Sequence, residues 1–126
     1  MRHWTLDDAT AELAEVGPMV ARIRELVPMV RDQPGVGPAS NGASSNGHGS
    51  PRATDPAAEL RTLLEGLDER GVVVRDPERG LIDFPALSAS GETYLLCWLD
   101  GELAIEWWHW PDAGFAGRIP ISSPPD

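Results

Sequence analysis

The chain has no lysine, a single cysteine, a single tyrosine, and no apolar run longer than the six residues from Tyr94 to Leu99. Each shortage closes off something. One cysteine cannot build a disulfide framework within the chain. A run of six is far short of the ~20 apolar residues that carry a helix across a bilayer. The opening residues, Met1 to Asp8, lack the apolar stretch of a secretory signal, so a cytoplasmic protein is expected. With lysine absent, ten Arg face 20 Asp and Glu, and the formal charge is −10. A length of 126 residues suits a single domain over residues 1–126, large enough to bury roughly two-thirds of its unfolded surface.

The cations are also unevenly placed. Residues 1–54 carry six carboxylates and five Arg, whereas residues 55–126 carry fourteen carboxylates and five Arg. From Gly80 to Gly117 there is no cation at all. Such a surface repels phosphate backbones, whose binding depends on Lys and Arg displacing counterions, and it repels anionic lipid headgroups for the same reason. Neither nucleic acid nor membrane is expected as a partner.

What is present begins with a helical stripe. Leu6, Ala9, Leu13, Val16, Val20, Ile23, Val27 and Val30 recur at spacings of three and four, the mark of one helical face. The spacing predicts a helical segment over residues 5–32. Thr5 is the expected N-cap, and Asp7, Asp8 and Glu12 suit the positive end of the helix dipole. Pro18 after Gly17 predicts a break near residue 17, and Pro28 a kink or early end near residue 27, since an interior proline removes a hydrogen bond. Residues 33–54, rich in Gly, Ser, Asn and Pro, read as a flexible linker. Asp55 and Pro56 then cap and open a second helix over residues 55–71, with Leu60, Leu63, Leu64 and Leu67 on its apolar face and Gly71 as its stop.

From residue 72 the pattern becomes that of strands, with a sheet expected over residues 72–121. Val72 to Arg75 and Leu81 to Phe84 flank the turn residues Asp76 to Gly80. Glu92 to Leu99 and Glu102 to His109 flank Asp100-Gly101, a favoured two-residue hairpin turn. Arg118 to Ile121 could add a short edge strand, where Pro120 is tolerable. The expected fold class is α+β: an N-terminal antiparallel helical hairpin packed on a C-terminal antiparallel β-meander of about four strands.

A two-residue turn at Asp100-Gly101 would set Leu99 opposite Glu102 and fix the faces. Tyr94, Leu96, Trp98, Leu103, Ile105, Trp107 and His109 would then face the helices. Cys97 would fall on the other face, opposite Ala104 and about 17 Å along the strand from His109. A nucleophilic Cys-His pair needs hydrogen-bond reach, so this register rejects one, and Cys97 reads as a small buried hydrophobe.

The remaining candidates each carry two readings. His109 is a strand-end histidine bonded to backbone, or a metal ligand with Asp112 or Glu106, although no His-x-His or Cys-x-x-Cys spacing supports a metal site. Asp83, among apolar neighbours in Leu81 to Pro85, is a buried acceptor of hydrogen bonds or a general base. Arg118, the first cation after Arg79, forms a salt bridge to the acidic sheet or binds an anion. Trp98, Trp107, Trp108 and Trp110 share residues 98–112 with Asp100, Glu102, Glu106 and Asp112. Most should fill the core. One left exposed beside carboxylates would suit a cationic or sugar-like ligand, or a self-association surface.

One set of words is distinctive in combination: Arg79-Gly80-Leu81-Ile82-Asp83-Phe84-Pro85, then Leu96-Cys97-Trp98 with Gly101-Glu102, then Trp108-His109 and Gly114-Phe115-Ala116-Gly117-Arg118. Here residues 76–121 resemble an uncharacterised prokaryotic family, domain of unknown function 2203, with a weaker match around Thr5-Leu6 and Leu13 to Pro18. Trp110 stands where the family pattern carries an acidic residue, and the linker where relatives carry longer helix. The resemblance implies a fold and no reaction.

Two functions are therefore carried forward. The first is a small non-enzymatic binding or interaction module with an acidic, Trp-rich sheet, whose candidate binding residues are Asp83, Trp98, Glu102, Trp108, His109 and Arg118. It implies no catalytic residue, no metal ligand and no cofactor, and a protein partner or self-association. The second is a small enzyme or metal-binding protein using Asp83, Glu102, His109 and Arg118.

Overall fold

A computed structural model describes residues 2–32 and 55–125. The linker expected over residues 33–54 lies outside them. Helix α1 runs from Leu6 to Arg31 and helix α2 from Pro56 to Glu69. Thr5 caps the first, its hydroxyl accepting from the Asp8 N–H at 3.0 Å. Asp55 caps the second, accepting from the Ala57 N–H at 3.1 Å, with Pro56 in the first turn, where its missing N–H costs nothing. Gly71, at φ +83°, takes the left-handed conformation that ends a helix.

The break expected near residue 17 and an end near residue 27 do not occur, because α1 passes through both Pro18 and Pro28. Magnitudes explain why. Two interior prolines cost roughly 3 kcal/mol each. The stripe they interrupt buries Val16, Val20, Ile23 and Leu26 almost completely, at roughly 1.5–3 kcal/mol apiece. Pro18 and Ala14 are both exposed, so the carbonyl that Pro18 leaves unpaired remains open to water.

The two helices run antiparallel. Arg70 pairs with Glu12 and Glu15, Met19 lies against Gly66, and Arg22 grips Glu59 through two bonds of 2.7 and 2.9 Å, so numbers rise along one helix as they fall along the other. The Arg22 guanidinium holds the Glu59 carboxyl below its usual range.

Behind the helices lies one antiparallel sheet of five strands in sequence order: β1 Val73–Asp76, β2 Leu81–Leu87, β3 Thr93–Leu99, β4 Trp107–His109 and β5 Ile119–Pro120. The fifth is the short edge strand that Arg118 to Ile121 could add to the expected four. Ile82, Phe84, Ala86, Leu96, Trp98 and Trp108 turn one face of the sheet into a core shared with Trp4, Ala9, Val16, Val20, Ile23 and Leu67. The opposite face carries Leu81, Asp83, Pro85, Leu95, Cys97, Trp107 and His109, as the pleat and the observed pairing require.

Candidate functional site

The geometry of this second face depends on one register. The turn at Asp100-Gly101 forms, closed by the Glu102 N–H donating to the Leu99 carbonyl at 2.9 Å, with Gly101 at φ +108°. Strand pairing, however, does not resume at Glu102. The Glu102 carbonyl accepts from the Trp98 indole N–H at 3.0 Å and its carboxylate from the Leu99 N–H at 2.9 Å. Leu103 is left exposed, Ile105 enters the core, and β4 begins only at Trp107, opposite Cys97. Cys97 was expected opposite Ala104. An odd slip of three residues exchanges the faces of a strand, so Trp107 and His109 leave the helix side and Trp108 joins it.

Cys97 and His109 therefore share a face, and the separation of about 17 Å drawn from a full-length second strand is overturned. His109 lies opposite Leu95, and Cys97 lies opposite Asp83 on the other side. One ligating atom from each of Asp83, Cys97 and His109 falls within 4.8 Å of the others, and all three residues are buried.

Hydrogen bonds fix the cluster. His109 Nδ1 lies 2.7 Å from the Trp110 carbonyl, which can only accept, so Nδ1 carries the hydrogen. Nε2 then faces both Asp83 oxygens at 3.1 Å. A bare nitrogen lone pair would be repelled there, so Nε2 either bears a proton or shares a cation with the carboxylate. Asp83 Oδ2 also accepts from Arg75 Nε at 2.6 Å.

Arg118 comes from beyond β4. Its guanidinium lies between the rings of Trp107 and Phe115, 4.9 and 4.6 Å from their centroids, and donates to Glu102 at 2.6 Å. Its Nε is buried with no acceptor among the described residues.

Burial, with the Asp83 charge behind it, pushes the Cys97 thiol up to about 12. Both His109 nitrogens are engaged, and the Asp83 carboxylate beside the thiol raises its pKa rather than lowering it. A consequence follows for the metal-free protein. The folded state keeps a proton that the unfolded chain releases above about pH 8.5, so this part of the stability is complete below that pH and is lost as pH climbs toward 12. Half-buried Tyr94, also raised by desolvation, acts in the same direction. Urea midpoints should fall between about pH 8.5 and 11, and the fall should be shallower in Cys97→Ala; equal slopes would contradict the assignment.

Beside the His109 end of β4 lies a hollow of about 530 Å³ lined by Glu92, Thr93, Trp110, Pro111 and Asp112. Trp110 is held edge-on against Trp108, with centroids 5.1 Å apart at 90°. The carboxylates of Glu92 and Asp112 have no hydrogen bond or ion pair among the described residues. Arg75 reaches the back of this wall, donating to the Pro111 carbonyl at 3.4 Å, with its charge met by Asp83.

Of the six residues singled out in the sequence, the fold brings Asp83 together with His109 and pairs Glu102 with Arg118, and all four lie around Cys97, whose thiol feels Asp83, Arg118 and Glu102. Trp98 and Trp108 belong to the core instead, each anchored by its indole N–H, to the Glu102 and Ser123 carbonyls respectively. Cys97, Arg75 and Trp110 were not in that set. Trp110 had a signal as an aromatic between carboxylates and Cys97 as the one cysteine, set aside by the expected register, whereas Arg75 had none.

No helix among the described residues is long and apolar enough to cross a membrane. No curated protein and no solved structure matches the chain. Residues 2–121 match the family described as "Uncharacterized conserved protein (DUF2203)". The match takes in both helices and all five strands, so the chain belongs to this family.

Proposed function

We propose that the protein is a non-enzymatic binding module whose ligand is a small organic cation seated in the Trp110 hollow. One observation carries this reading: a fixed indole ring shares a hollow with two carboxylates that have no partner among the described residues. An aromatic face attracts a cation by about 0.5–2 kcal/mol, more as the site is desolvated, and Glu92 and Asp112 supply the countercharge. The catalytic alternative, built on Asp83, Glu102, His109 and Arg118, is less favoured because those side chains are paired with one another, Asp83 with His109 and Glu102 with Arg118. In this reading the protein acts in the cytoplasm, where a lone thiol remains reduced.

Tetramethylammonium is a minimal probe. It should shift the Trp110 indole resonance in a saturable titration, while neopentyl alcohol, its neutral counterpart in shape, should not. Trp110→Leu should weaken binding by roughly 5- to 30-fold, the equivalent of about 1–2 kcal/mol, and Glu92→Gln with Asp112→Asn should remove its salt dependence. Equal binding of the neutral compound, or no effect of Trp110→Leu, would end this reading.

A further inference from the structure

Asp83, Cys97 and His109 offer three different donors to one buried point, and the bonds around them leave one atom of each directed there. Arg75 occupies Asp83 Oδ2, leaving Oδ1 within 3.1 Å of His109 Nε2. The Trp110 carbonyl takes the hydrogen of His109 Nδ1, the arrangement that fixes a ligating histidine and presents the lone pair of its other nitrogen. Cys97 Sγ completes a set within 4.8 Å. We propose that Asp83 Oδ1, Cys97 Sγ and His109 Nε2 bind a single divalent transition-metal ion of the zinc class.

Charge and size agree with this choice. A carboxylate, a thiolate and a neutral imidazole supply two negative charges to a divalent ion, so ion and ligands together are neutral, and the Arg75 charge on Asp83 Oδ2 is left to the solvent that reaches about a third of that side chain. The Arg118–Glu102 pair beside it is neutral as well. Bonds of about 2.0–2.3 Å in a tetrahedral shell place neighbouring donors about 3.3–3.6 Å apart. The nitrogen and oxygen are already near that spacing, and the sulfur, within 4.8 Å of both, has at most about 1.2–1.5 Å to close on each. Mixed sulfur, nitrogen and oxygen donors select zinc-like ions over magnesium or calcium, which prefer all-oxygen shells. The three protein donors leave the fourth tetrahedral position to a water molecule, and the site is independent of the cation hollow except that Trp110 contributes its ring to one and its carbonyl to the other.

The test is a titration of the full-length, metal-free protein with Co²⁺, a spectroscopic substitute for Zn²⁺. One equivalent per chain should produce a sulfur-to-cobalt charge-transfer band in the near ultraviolet and the intense visible bands of a four-coordinate ion, both removed by Zn²⁺. The chain has one cysteine, so the charge-transfer band reports Cys97 alone, and the unsubstituted protein decides the matter even where a variant misfolds. Cys97→Ser should abolish the band. His109→Asn, whose amide N–H can still donate to the Trp110 carbonyl, should weaken binding by roughly 100-fold or more, beyond the 10–100-fold typical of losing an outer partner. No charge-transfer band in the unsubstituted protein, or Co²⁺ affinity unchanged in Cys97→Ser and His109→Asn, would overturn the assignment and leave His109 and Asp83 as a buried imidazolium–carboxylate pair.

Discussion

Replacing Asp83 with alanine is expected to lower the folding stability by about 3–5 kcal/mol, the cost of removing one member of a buried ionic network. The residue is fully buried and serves Arg75 and His109 at once. Arg75 is about one-third exposed and can turn to water when its partner goes. His109, at 1% exposure, cannot, so its Nε2 is left without a partner. Most of the cost should therefore run through His109. Urea denaturation of Asp83→Ala, His109→Leu and the double variant checks this: in the His109→Leu background the alanine substitution should cost only about 1–2 kcal/mol, within the coupling seen for residues in contact. Additive losses would show that the two side chains act separately.

The neighbouring residue on β2 faces the other way and should matter as much for a different reason. Phe84→Ala is expected to cost about 3–5 kcal/mol, a large share of the ~5–15 kcal/mol that stabilises a small domain. Its ring is fully buried and meets Trp4 edge-on, with centroids 5.2 Å apart. Trp4 in turn ties the N-terminal segment to the sheet through its N–H to the Pro85 carbonyl at 2.6 Å and its indole N–H to the Gly71 carbonyl at 3.1 Å. The cavity left by alanine should thus also loosen that segment, seen as faster hydrogen exchange at Trp4. Phe84→Leu, which keeps most of the volume, should cost less than about 1.5 kcal/mol. A Phe84→Ala variant as stable as the parent would mean that the core closes over the gap, contrary to the dense packing around it.

Local chemistry was readable in the sequence wherever neighbouring residues decide the outcome. Thr5, Asp55 and Pro56 begin helices because their side chains or ring satisfy the first turn regardless of the rest of the chain. The three-and-four stripe of α1 placed Val16, Val20 and Ile23 in the core, and the turn at Asp100-Gly101 formed where it was expected. Reading failed where the deciding partner is distant. Pro18 and Pro28 are penalties taken locally, and only the sheet face that α1 covers supplies the burial that outweighs them. Residues 102–109 alternate well enough for a continuous strand, but the indole of Trp98 claims the Glu102 carbonyl and the core claims Ile105.

Charge shows the same division. The stretch from Gly80 to Gly117 lacks any cation in sequence, which suggested an acidic face without counterions. In the fold Arg75 and Arg118 reach in from either side of that stretch to meet Asp83 and Glu102, and Arg79 lies over Phe115. Of the carboxylates in that stretch, Glu92, Glu106 and Asp112 are left without an ion pair among the described residues, and two of them, Glu92 and Asp112, line the hollow.

By itself, then, the sequence determined the class of fold, the helix caps, the stripe that faces the core, and the family words around Asp83 and His109. Tertiary structure alone decided that Asp83, Cys97 and His109 meet. Caps and stripes depend on residues a few positions apart. Whether β4 restarts at Glu102 or Trp107 depends on contacts between strands and with the core, and because side chains alternate, that choice of register moved His109 from the face of the helices to the face of the cysteine.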